Sequence, residues 1–231
     1  MEKPAENQFL LKLPKEPRQY LLDNATRIDI GVNQTLQKKD VAIENVYFPE
    51  DCILSLVISM PDERTVEVAT VGQEGVLGLS VFWGADLLPI LSIGEVPGKA
   101  LKVPTKIFQQ AIETYPELNR KLQLYTQALF VLVAQVLACN TLHSIEERCA
   151  RWILMTQDRV HSETLPLTQE ILAQMLGVRR PTVTLAAGML KKAGLIEYSR
   201  GSVKILDRKG LESATCSCYK VIKNEFDRLQ G

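Results

Sequence analysis

At 231 residues the chain is long enough for two modest domains. Its 27 basic and 27 acidic residues cancel, but residues 165–209 hold eight Lys/Arg against three acids, so a segment of net charge +5 sits on a body of −5; such an asymmetry suits a protein that meets a polyanion with one end. Five cysteines at irregular spacing exclude a disulfide framework, the charged N-terminus is no secretory signal, and the longest apolar run, residues 128–139, is too short to span a bilayer, so a cytoplasmic chain without a membrane partner is expected.

Residues 1–24, polar and proline-dotted apart from Phe9-Leu10-Leu11, read as an N-terminal arm with little structure of its own. Residues 25–116 read as a β-roll: Ile53–Ser59 and Thr65–Val71 are rich in β-branched residues, Pro61 to Arg64 make the turn between them, and Leu87–Val96 and Ala100–Val103 follow. Short strands with glycines at the corners indicate a roll or barrel. Gly72, Gly75 and Gly78 recur at three-residue spacing, but no GK[ST] follows, so they are expected to make turns and not to hold a phosphate.

A short helix from Pro104 to Tyr115 gives way at Pro116 to a long one over 117–144. There Leu118, Leu122, Tyr125, Leu129, Leu132, Val136, Cys139 and His143 alternate at intervals of four and three, the a/d seam of a two-stranded coiled coil, so a homodimer through this face is expected. Val131, Val133 and Leu137 lie off the seam and are expected to cover the roll. Ser144 followed by Glu147 is a capping box, which starts a new helix and makes the 143–144 junction a hinge.

Residues 145–231 read as a winged helix-turn-helix domain. Thr168 caps a first helix, Gly177 turns the chain, and a second helix begins near Arg180 with Pro181 tolerated in its first turn. Val183, Ala186, Met189 and Leu190 are its buried side, which leaves Arg179, Arg180, Thr182 and Thr184 on or near the free side. Two strands around Ser199-Arg200-Gly201-Ser202 form a wing, and Leu211–Leu229 a helical tail that packs Val221, Ile222, Phe226 and Leu229 inward. Cys216-Ser217-Cys218 has one residue between its thiols, fewer than metal pairs usually have, and His143 on the seam reads as a packed side chain, so no metal site is expected.

The order of β-roll, long helix and winged helix-turn-helix resembles the Crp/Fnr family of bacterial transcription regulators, most closely in TQEILAQMLGVRRPTVT and the ML, GLI and wing residues after it. The resemblance implies a jelly-roll effector domain like those that bind cyclic nucleotides, a coiled-coil dimer, double-stranded palindromic DNA and RNA polymerase as partners, and a signal received at the roll. It implies base reading by Arg180, with Pro181, Thr182 and Thr184 beside it, and phosphate contacts from Thr168, Gln169, Arg179, Arg200, Ser202 and Lys204. The cyclic-AMP branch has a glutamate where this chain has Pro181 and an arginine where it has Leu185, so the target sequence does not carry over.

The resemblance also points to an effector pocket around Gly75, Gly78, Leu79, Ser80 and Tyr125. No Lys or Arg lies between Val81 and Val96 to meet a cyclic phosphate, so ordinary cyclic AMP is not expected there. Neither is an iron–sulfur cluster, since the first cysteine is Cys52, nor haem, since His143 and His161 are the only histidines. With no HExxH, GxSxG or Walker loop, an enzyme is not expected. The rival expectation is a small-ligand sensor or adaptor of this fold that does not bind specific DNA.

Overall fold

The computed structural model describes residues 6–60, 65–199 and 201–230, with the side chains of 229 and 230 outside that description. Arg200, the 61–64 turn and the inward packing of Leu229, all expected above, therefore lie outside it.

Two short helices, α1 (Gln8–Leu11) and α2 (Lys15–Asp23), precede seven strands: β1 (Thr26–Ile30), β2 (Thr35–Gln37), β3 (Asn45–Pro49), β4 (Ile53–Ser59), β5 (Thr65–Val71), β6 (Leu91–Val96) and β7 (Gly98–Pro104). These form two antiparallel sheets, β1-β7-β3 and β2-β6-β4-β5, with a 3₁₀ turn at Leu79–Trp83. Leu54 is buried with Ile30, Tyr47, Val71 and Ala100 between the layers, whereas Phe48, on the other face of β3, packs against Phe9 and Phe108. The N-terminal segment is not a loose arm. Asn7 caps α1 through Leu10 N at 3.0 Å and donates to the carbonyls of Pro49 and Gly75, and Phe9, Leu10 and Leu13 enter the core. Three apolar residues are too few to show a period, so the sequence hid their packing.

Helix α3 (Thr105–Thr114) leads to α4 (Pro116–Leu142), with Pro116 in its first turn. Then come α5 (Ile145–Val160), β8 (Thr164–Leu165), α6 (Gln169–Leu176), α7 (Arg180–Lys192), β9 (Ile196–Ser199), β10 (Ser202–Ile205), α8 (Arg208–Ala214) and α9 (Cys218–Gln230). The expected capping box is present: Glu147 N donates to Ser144 Oγ and Ser144 N to Glu147 Oε2. The expected single tail helix is broken at Thr215-Cys216-Ser217 into α8 and α9, and α9 runs back along α4, Cys218 beside Gln135 and Phe226 beside Tyr125.

The a/d seam does not face outward. Leu118, Leu122, Tyr125, Leu132 and Cys139 are buried within the chain itself, and Leu129, Val136 and His143 are half-buried. Of the residues expected to cover the roll, Val133 and Leu137 are instead exposed, with Phe130 on the same side, and Val131 is half-buried. A heptad period marks which strip of a helix is covered, not what covers it; here the roll and α9 cover it. After Lys121 the helix carries no Asp, Glu, Lys or Arg to its end, so by length and composition alone it could cross a membrane, although the 12-residue apolar run inside it is too short.

Candidate nucleic-acid interface

The helix-turn-helix is built as its residue types require. Thr168 Oγ1 accepts from Ile171 N at 3.1 Å, which caps α6 and leaves the hydroxyl proton free to donate. Gly177 ends α6 at φ 63°, a left-handed conformation that glycine adopts without a side-chain penalty. Leu172, Ala173 and Leu176 of α6 are buried with Val183, Ala186, Ala187 and Leu190 of α7, while Met175 turns to Ser55 of the roll.

That packing sets the outer face of α7. Arg179, Arg180, Pro181, Thr184 and Leu185 are exposed, Leu185 at 70%, and Thr182 is half-buried. Met189, expected on the buried side, is 49% exposed, because Ala186, Ala187 and Leu190 already fill the contact. The first turn of α7 has no side-chain cap, Pro181 has no N–H, and Thr182 N turns inward to Arg179 O, so what this positive helix end offers a phosphate is chiefly the two exposed arginines. Arg180 meets Glu170 only at 3.9 Å, both exposed, a weak pair that leaves the guanidinium available. Thr184 donates to Gln169 Oε1 at 2.8 Å, which ties the start of α6 to the exposed side of α7.

The wing is β9 and β10, with β10 central in a sheet ordered β8-β10-β9. Ser202 faces Ser199 at 2.8 Å, Lys204 is exposed, and Tyr198 donates to Leu167 O at 2.9 Å, which straps the wing to the entry of α6. Of the basic residues counted above, Arg208 is inside the domain: it donates to Gln157, Asp158, Tyr219 and Glu212 and does not contribute to the outer face.

Sequence reasoning missed the contacts that seat this domain on the roll. Trp152 of α5 donates to Glu67 Oε1 at 3.2 Å and Ser55 to Glu67 Oε2 at 2.9 Å. Glu95, 3% exposed, lies beside Glu67, and among the described residues neither of its carboxyl oxygens has a geometric hydrogen-bond partner. Burial, and then the charge of Glu67, hold the Glu95 carboxyl well above the ordinary carboxylate range, which favours its neutral form beside Glu67. Burial raises Glu67 too, opposed by the hydrogen bonds from Glu95, Ser55 and Trp152. Arg159 of α5 pairs with Glu74 at 2.8 Å, both side chains under a tenth exposed. Arg148 donates to Asn140 of α4 and to the Leu176 carbonyl that ends α6. Isolated charged letters in α5 and β5 carry no sign of these partners in the sequence.

The residues expected around the effector pocket are spread over two elements of the roll and α4. Tyr125 is buried against Gly75, while Gly78, at φ 101°, lies against Val46 and Gln37 and opens the 3₁₀ turn that holds Leu79 and Ser80. A cavity of about 630 Å³ opens between the roll and the helix-turn-helix domain, lined among others by Gln73, Asp158, His161, Arg208, Tyr219 and Lys223.

Residues 147–214 match the Crp-like helix-turn-helix domain family. The whole architecture is similar to solved structures. FixK2 from Bradyrhizobium japonicum is 17% identical with a TM-score of 0.72, covering 83% of this chain and 98% of its own. The c-di-GMP-responsive global regulator CLP of Xanthomonas campestris is 12% identical, TM-score 0.68, covering 83% and 99%. A Crp/Fnr-family transcriptional regulator of Thermus thermophilus is 18% identical, TM-score 0.68, covering 82% and 97%. No curated protein matches the sequence. Residues 147–214 are thus a Crp-like helix-turn-helix domain, carried on the fold of the Crp/Fnr transcription regulators.

Proposed function

We propose that the chain is a sequence-specific DNA-binding transcription regulator that acts as a homodimer and performs no catalysis of its own. The observation that carries this reading is the outer face of α7, where Arg179, Arg180, Pro181, Thr184 and Leu185 stand exposed on a helix held rigidly from behind. Arg180 reads a guanine edge, Pro181 and Leu185 offer apolar contact to a thymine methyl, and Thr168, Gln169, Arg179, Ser202 and Lys204 hold phosphates. Two such helices on a twofold axis would meet half-sites about one DNA turn, roughly 34 Å, apart.

The dimer forms through the outer stripe of α4, Phe130, Val133 and Leu137, and not through the a/d positions. These three fall at i, i+3 and i+7 on one side, and Phe130 and Leu137 are more than two-thirds exposed. A signal acts at the junction of roll and DNA-binding domain, where the cavity and the Trp152–Glu67 and Arg159–Glu74 contacts lie together. Selection of bound sequences from random DNA tests the reading. Recovery of a palindrome supports it; binding that is abolished by salt and selects no sequence points to a sensor or adaptor instead.

A further inference from the structure

Four metal-ligating side chains that the sequence scatters over 80 residues converge outside the interface just described. Cys139 lies in the last turn of α4 and His143 is its C-cap; Cys216 and Cys218 come from the break between α8 and α9. Their three Sγ atoms and one imidazole nitrogen all lie within 4.8 Å of one another. Cys139 Sγ is 3.5 Å from Cys216 Sγ, and Cys218 Sγ is 3.5 Å from His143 Nδ1. The three cysteines are 5% exposed or less.

We propose that Cys139, His143, Cys216 and Cys218 form a tetrahedral site for one zinc-class divalent ion. Zinc–sulfur bonds of about 2.3 Å and zinc–nitrogen bonds of about 2.0 Å put tetrahedral ligand atoms about 3.5–3.8 Å apart. Two pairs already stand at that spacing, and the others close by about 1 Å at most. A disulfide between Cys139 and Cys216 would account for neither Cys218 nor His143. A multi-iron cluster would need ligand atoms held farther apart.

The surroundings suit a thiolate site. Gln135 Nε2 donates to Cys218 Sγ at 3.2 Å, an outer-shell hydrogen bond of the kind that fixes a ligating sulfur. Arg151 is 3% exposed, its Nε has no hydrogen-bond partner, and its charge acts on Cys139. Three thiolates, a neutral imidazole and a divalent ion sum to −1, which that buried cation offsets. On loading, three S–H bonds ionise and release three protons to solvent while three sulfur–metal bonds and one nitrogen–metal bond form; no electron moves. The CxC spacing looked too short for a metal pair because the other two ligands come from a different helix. Occupied, the site staples the end of α4 to the link before α9, across the hinge at 143–144.

The test is metal analysis and cobalt(II) substitution of the full chain without an affinity tag. One zinc per chain, and cobalt protein with tetrahedral and thiolate-to-metal absorption bands, are the expected results. Cys218→Ser and Cys139→Ser lose the metal and the bands, whereas Cys52→Ser, whose thiol lies in the roll, keeps both. Chelator should lower the thermal midpoint of the wild type. Metal content untouched by Cys218→Ser, or wild-type protein that takes up cobalt without thiolate bands, overturns the site; these wild-type spectra decide even where a serine variant fails to fold.

Discussion

Gly75 and Tyr125 occupy one shared space: a Cβ added to Gly75 would stand 2.1 Å from the phenol oxygen and 2.5 Å from the ring carbon that bears it. The second glycine of the three-residue repeat is therefore there for close approach, letting the long helix seat its tyrosine on the roll. Gly75→Ala should destabilise the chain by about 1–3 kcal/mol. Placed in a Tyr125→Leu background it should cost clearly less, because the clash is gone. Urea unfolding of the two single variants and the double variant measures the coupling, and simple additivity would show that the two positions do not interact.

Arg180→Ala should weaken specific DNA binding by about 1–3 kcal/mol and relax selection at a single base pair, with little effect on stability because the side chain is exposed. Binding curves on the selected site and on its single-base variants measure both effects. An unchanged preference at every base would remove Arg180 from base reading.

Two substitutions separate the faces of α4. Phe130→Glu with Leu137→Glu should yield a folded monomer by light scattering. Leu132→Ala, whose side chain is 1% exposed inside the protomer, should cost about 2–5 kcal/mol of folding stability and leave the association state alone. A dimer that survives the paired glutamates would return the interface to another surface.

The Glu67–Glu95 pair makes stability depend on pH. Because the folded carboxyl of Glu95 sits above its ordinary value of 4.5, its contribution is complete below that value and is lost as pH rises through the folded pKa. The slope is at most about 1.4 kcal/mol per pH unit. Glu95→Gln keeps a donor toward Glu67 without a titrating proton, so its thermal midpoint should vary less over this range than that of the wild type. Equal slopes in calorimetry would acquit the pair.

Removing one partner of the Arg159–Glu74 pair should be worse than removing both. Arg159→Met strands the Glu74 carboxylate under a tenth exposed and should cost about 3–5 kcal/mol. Arg159→Met with Glu74→Leu should recover much of that loss in the same denaturant assay.

What the sequence disclosed follows from where the information is local. Strands β4 and β5, the Ser144 capping box, the Thr168 cap, the Gly177 turn and the wing each rest on residues within a few positions of one another, and each was legible. The outer face of α7 could be read from period alone, apart from Met189. The covering of α4 could not, since a heptad strip looks the same whether a partner or the parent chain lies on it. The break at Thr215 and the meeting of His143 with Cys218 depend on how α9 doubles back over 75 residues, which no local pattern encodes. Arg159 and Glu74 stand 85 positions apart for the same reason.

The seam between the roll and the helix-turn-helix domain resists partial opening. Polar contacts cross it, among them the Arg159 guanidinium on the Glu74 carboxylate and the Trp152 indole on the Glu67 carboxyl, with Glu95 of the roll buried behind Glu67. Parting the two halves slightly would strand Arg159 from Glu74 and the Trp152 indole from Glu67 without admitting enough water to solvate them, while Glu67 would keep Ser55 and Glu95 within the roll. Half-open geometries are thus higher in energy than either the shut or the fully parted one. A stimulus that parted the halves of one protomer would therefore meet a threshold and not a gradual slope.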